Sequence, residues 1–263
     1  MIKHSFHKPK LQPSEVMTIQ ILYHLSGSKC FEYFYTYIAL KQLRAYFPSL
    51  PSYNRFVELQ GRNWHYLFAF VNTVRTGEDT GVSIVDSKHL KACHNRRIKS
   101  NKVFRGIAQR GKTSTGWFYG MKLFLIINSN GEVMRATLTA GNVADNNFEH
   151  LKKLFQNFKG LMIGDKGFLS SKVFNEFLEK GLKLITKLKS NMKNKLMDKT
   201  EKFLLRKRGI IECIFDILMT ICDIDHTRHR SPKNAFCNIF AGLAAYSYYE
   251  RKPSIHSKLL KIN

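Results

Sequence analysis

Apolar positions recur at helical spacing through the first part of the chain. Pro13, Ser14 and Glu15 read as a helix start, and Val16, Ile19, Ile21, Leu22 and Leu25 follow at roughly one per turn. Gly27-Ser28 ends that helix and an aromatic segment covers residues 31–47. Pro48 to Ser52 then punctuates, and a further helical pattern fills residues 53–74. The texture changes after a hinge at Thr76-Gly77-Glu78-Asp79-Thr80-Gly81. A small helical domain is therefore expected over residues 1–78 and a second domain over residues 79–263.

Behind the hinge the pattern shortens to strands. Val82-Ser83-Ile84-Val85-Asp86 predicts a buried strand ending on a carboxylate. Residues 117–127 and 132–139 predict two more, joined through Ser129-Asn130-Gly131, since Asn-Gly between apolar runs signals a hairpin. Trp117, Phe118 and Tyr119 read as core positions of the first of these before they read as base-stacking platforms. A helix is expected over residues 145–158, with Asp145 as its N-terminal cap. Leu161-Met162-Ile163-Gly164-Asp165 is a second strand ending in Asp. A helix over 171–180, a strand over 182–188, a long helix over 201–222 and a last helix over 232–250 follow. The order β-β-β-α-β-α-β-α predicts an α/β fold, a mixed sheet flanked by helices.

Composition adds a partner. Of 263 residues 44% are hydrophobic and 13% aromatic, enough for a core, which excludes a wholly disordered basic tail. Lys and Arg number 43 against 19 Asp and Glu, a net charge of +24 that calls for a polyanion, nucleic acid first. The excess is local: residues 87–131 hold ten Lys and Arg and no acid. Arg96, Arg97, Lys99, Lys102, Arg105, Arg110 and Lys112 are the candidate DNA-phosphate contacts there. A second basic run covers residues 183–208, with Asp198 and Glu201 its only acids. The five cysteines are scattered without a CxxC pair, which suits a reducing compartment. No uncharged apolar run is long enough for a membrane span and the start lacks a signal-peptide pattern. A cytoplasmic, nucleoid-associated protein away from the membrane is expected.

Three acids stand out: Asp86 and Asp165 at strand ends, and Glu212 within the long helix. Arg208, Glu212 and Asp216 are spaced by four and share one face, beside an apolar wall of Ile210, Ile214, Ile217, Leu218 and Ile221. Arg208 and Glu212 alone amount to a common i,i+4 salt bridge. Two strand-end aspartates plus a helical glutamate in so basic a chain point further, to hard divalent cations held by oxygen. Mg²⁺ or Mn²⁺, as a pair of ions, suits phosphodiester displacement. Asp216 ranks second to Glu212 as the third ligand. Cys213, Cys222, His226 and His229 follow a C-x8-C-x3-H-x2-H spacing that matches no usual zinc site. They read instead as two core cysteines and two DNA-facing histidines. Arg208, His226, Arg228, His229 and Arg230 are expected to touch phosphate.

Several segments carry a family resemblance. They are Val82-Ser-Ile-Val-Asp86-Ser87-Lys88, Gly141-Asn142-Val143-Ala144-Asp145 and Gly164-Asp165-Lys166-Gly167-Phe168. Arg206-Lys-Arg-Gly-Ile-Ile-Glu212 with the later His226-Thr-Arg-His-Arg-Ser231 completes the set. In this order they resemble a bacterial insertion-sequence DDE transposase, closest to the insertion sequence nine-eighty-two family. The resemblance implies a ribonuclease-H-like core with Asp86, Asp165 and Glu212 as the catalytic, metal-binding triad. Arg208 fits the Arg–Glu part of a signature seen in related transposases. That signature's Tyr falls on Leu205 and its later Lys on Met219, so those two roles are absent or moved. The implied partners are the element's terminal inverted repeats and target DNA, bound by a homodimer. Two other readings stay open: a nuclease of the same fold, and a non-catalytic DNA-binding remnant of a truncated transposase.

Overall fold

The computed structural model describes residues 11–168, 170–187, 198–225 and 229–255. Its centre is a sheet of β1 (Val82–Cys93), β2 (Gln109–Thr113), β3 (Gly116–Asn128), β4 (Val133–Ala140), β5 (Gly160–Ile163) and β6 (Leu182–Ile185). The order is β2-β3-β1-β5-β6, with β4 also on β3. β1 runs antiparallel to β3 but parallel to β5, and β6 is parallel to β5, so the sheet is mixed. Helices cover both faces, which is the architecture the apolar pattern predicts.

Alternation along β1 and β3 divides the core in two. Ile84, Leu90, Leu123, Leu125 and Ile127 point to one face, where α9 (Ile210–Thr220) and α10 (Pro232–Ser247) pack. Val85, Phe124 and Ile126 point to the other, against α6 (Phe148–Leu154) and α7 (Ser171–Glu179). A third cluster, centred on Tyr35, Phe34 and Phe56, fills the N-terminal helices. These are α1 (Pro13–Leu25), the short α2 (Phe31–Tyr33) and α3 (Leu40–Gln42) around a π-helical stretch Phe34–Ala39, α4 (Tyr53–Arg62), and α5 (Trp64–Ala69), which passes into π turns at Phe70–Val74. The apolar α10 packs on α1, α4 and α5 as well as on the sheet side. The buried His24 of α1 bonds the Cys222 carbonyl through Nδ1 at 2.6 Å. No helix among the described residues is long and apolar enough to cross a membrane.

The boundaries depart from expectation in instructive places. β1 does not end at Asp86 but continues seven residues to Cys93, because β3 keeps supplying a partner along its whole length. β2 is a strand with no apolar pattern, Gln-Arg-Gly-Lys-Thr, paired to the start of β3. The single long helix is two: α8 (Lys199–Lys207) and α9, joined at Arg208-Gly209. There the bonds tighten to i,i+3, with Ile211 N–H donating to the Arg208 carbonyl and Glu212 N–H to that of Gly209. The helix expected over 145–158 shortens to α6. Its cap is Asn147, which accepts from His150 N–H; Asp145 lies outside and is not the cap.

Candidate active site

The last paired residues of β1 and β5 are Ile84 and Ile163. Beyond that pair β5 stops and β1 runs on alone along this edge, leaving a notch at the end of the parallel strands. Asp86 and Asp165 each stand two residues past the pair, so both carboxylates open onto the notch. Period-two alternation puts Asp86 on the Ile84 face, toward α9. Gly164 sits close beneath β1: a Cβ there would meet Val85 Cγ1 at 3.2 Å, a tight contact.

The tightened turn between α8 and α9 brings Arg208 into this notch. Its guanidinium is 3.4 Å from Asp165 Oδ1 and 3.9 Å from Asp86 Oδ2, and it donates to Glu212 Oε1 at 3.2 Å. The three acids singled out from sequence therefore converge on one cation. Asp86 is the most enclosed, its side chain 19% exposed, against 42% for Asp165 and 60% for Glu212. Burial pushes the Asp86 carboxyl up to about 6; the Ser87 N–H bond to its Oδ1 and the Arg208 charge pull it back, while Asp165 and Asp145 add to the rise. Asp216 is exposed and is not among the partners of Arg208, which favours Glu212 of the two.

One guanidinium does not neutralise three carboxylates, so the notch keeps an excess of negative charge. All the donors are carboxylate oxygens, the set that hard divalent cations prefer. In chemistry the residues fit such ions. In position Arg208 now stands between them, and no group of three or more His, Cys, Asp or Glu among the described residues is gathered to hold a metal. For these acids to ligate ions, Arg208 must give up at least part of its ion pairing.

A polar link on the opposite face of β1 escaped the sequence reading. Ser87 Oγ donates to Asp145 Oδ1 at 2.8 Å, and Lys122 Nζ donates to the same oxygen at 3.0 Å and to the Val143 carbonyl at 2.9 Å. Asp145 thus ties the Gly141-to-Asp145 motif to the residue after Asp86. The motif itself was the available signal, but an Asp just before a helix pattern is read first as a cap.

The basic candidates separate into groups. Arg96, Arg97, Lys99, Lys102, Arg105, Arg110 and Lys112 are all exposed, on the segment after β1 and on β2. Arg230 is exposed too. Arg208, also expected at DNA phosphate, is turned inward at 20% exposure and ion-pairs with the carboxylates. His229 is half-buried in a small cavity with Leu90, Phe104, Asp225 and Ile239, facing inward instead of toward phosphate. His226 and Arg228 lie outside the described residues, as do residues 188–197 of the second basic run. Of the two expected core cysteines Cys222 is buried, but Cys213 is exposed. Trp117 also departs from expectation: it is 58% exposed, while Phe118 and Tyr119 beside it are buried.

Comparison with known proteins now bears on this geometry. A family model described as a transposase DDE domain matches residues 76–232, more than half of the chain and all three acids. The chain belongs to the DDE transposase family. Comparison with curated proteins gives no match. Among solved structures the chain is similar to the piggyBac transposase in a synaptic complex with hairpin DNA, at a TM-score of 0.47 and 10% identity, over 94% of this chain and 68% of that one. That likeness is too distant to argue from.

Proposed function

We propose that this protein is a metal-dependent DNA transposase of a bacterial insertion sequence, of the nine-eighty-two type, cutting at element ends and joining the freed 3′-OH to target DNA. The observation that carries the reading is the convergence of Asp86, Asp165 and Glu212 in one notch, within the part of the chain that the family model matches. Asp86, Asp165 and Glu212 would be the residues that hold Mg²⁺ or Mn²⁺, as a pair of ions. When bound, such ions activate an attacking oxygen and stabilise the leaving one. Asp86, on a central strand, and Asp165, on the turn after β5, are fixed by the sheet; Glu212 and Arg208 ride on the α8–α9 turn. Arg208 ion-pairs with all three carboxylates and so screens them from one another. The exposed basic segment after β1 and β2 holds the DNA backbone. Residues 1–78 form a DNA-binding domain and residues 79–263 the catalytic one, acting as a homodimer on the terminal repeats in the cytoplasm, at the nucleoid.

The test uses labelled DNA from the ends flanking the gene, with plasmid as target and Mg²⁺ present. Joined products are expected. Cutting without joining makes the protein a nuclease of the same fold, and binding without either makes it a non-catalytic remnant.

A further inference from the structure

Trp117 is an exposed indole in the most one-sidedly charged part of the chain. It opens β3 and pairs in register with Lys112 of β2. Lys112 Nζ lies 5.7 Å from the ring centroid, within cation–π range. The backbone beneath is held from two sides: β2 pairs with it, and the Asn95 side-chain amide donates to the Trp117 carbonyl at 2.7 Å. Asn95 begins the short 3-10 turn that carries the exposed Arg96 and Arg97. The indole is thus a fixed apolar plate set among cations. Nothing in the core uses it.

We propose that Trp117, with Lys112 beside it, is a stacking site for a nucleobase of unpaired DNA. The inference rests on the reading of this chain as a DNA-binding protein and goes beyond phosphate contact. The charge argues for the occupant. No acid occurs between residues 87 and 131, so a second copy of this chain brings the same positive surface and is repelled, whereas a polyanion is attracted. A phosphate oxygen can accept from the indole N–H but gives the ring face no partner, whereas an unpaired base offers a ring face, and stacking of this kind accepts any base. The site is separate from the carboxylate notch. Asp86 pairs with Leu125, and Trp117 lies eight residues earlier on β3. At about 3.4 Å per residue the two are separated by up to about 27 Å along the strand.

The experiment measures anisotropy of a fluorescein-labelled 20-nucleotide oligo-dT and of a 20-base-pair duplex with full-length wild type, Trp117→Ala and Trp117→Phe. Trp117 is exposed, so thermal melts are expected to show all three folded alike. Trp117→Ala is expected to bind oligo-dT about tenfold more weakly and duplex within about twofold of wild type, with Trp117→Phe close to wild type on both. An equal loss on both substrates, or no loss on oligo-dT, overturns the stacking site and leaves DNA binding standing. Failure of wild type to bind either substrate overturns both. A fall in sedimentation coefficient of Trp117→Ala without DNA makes the indole a contact between copies and also overturns the proposal.

Discussion

Asp86 on β1 and Asp165 on the turn after β5 each stand two residues past the pair Ile84 and Ile163, the last of the parallel ladder. That shared offset brings both carboxylates to the guanidinium of Arg208, 3.9 Å from Asp86 and 3.4 Å from Asp165. Arg208 then joins them to Glu212, which comes from a different layer of the fold.

Glu212 and Asp216 share a helix face but not the same neighbours. Glu212→Gln is expected to reduce Mg²⁺-dependent cleavage at least a hundredfold. Melting should fall by no more than about 3 °C, since an exposed ion pair contributes at most about 1 kcal/mol. Asp216→Asn is expected to keep activity within about tenfold, roughly 1.4 kcal/mol in barrier. Cleavage rates and melts on the two variants check this. The reverse ranking moves the third ligand to Asp216.

Neutralising Arg96, Arg97 and Lys99 together to Gln is expected to weaken binding to all DNA sequences alike. The slope of log affinity against log salt should flatten by up to about 0.9 per lost contact. Salt titrations on two unrelated duplexes measure this, and a loss confined to one sequence means base readout instead.

His24 links α1 to the segment after α9, and its burial lowers the imidazole from an ordinary 6.5 to about 4. The folded state therefore binds fewer protons than the unfolded chain. Stability from this group is fully present above about 6.5 and is lost as pH falls toward about 4, by roughly 3 kcal/mol at most. Denaturant melts of wild type and His24→Gln at pH 7.5, 5.5 and 4.5 are expected to show the variant less stable at pH 7.5 but with a shallower fall on acidification. Parallel curves contradict the assignment.

The two aspartates are legible in the sequence because an acid closing a short apolar run has few other uses. Glu212 is legible only through its register with the family motif, since its spacing to Arg208 describes an ordinary salt bridge equally well. What Arg208 does is a tertiary fact. Its bonds to Asp86 and Asp165 span more than forty residues and depend on a break at Gly209 that an unbroken apolar period hides. β2 is hidden for the opposite reason: an edge strand of Gln, Arg, Gly, Lys and Thr has no buried face to leave a pattern. Trp117 misleads because an aromatic at the start of an apolar run is assigned to the core, while here the run starts one residue outside it.

The central proposal is that phosphodiester bonds are cut at the carboxylate notch. The most direct measurement is Mg²⁺-dependent cleavage of DNA carrying the gene's flanking ends by Asp86→Asn and Asp165→Asn, with DNA affinity measured on the same preparations. The account predicts that each substitution abolishes cleavage while affinity is unchanged or slightly higher, because a negative charge is removed beside phosphate. Cleavage at the wild-type rate by either variant contradicts it.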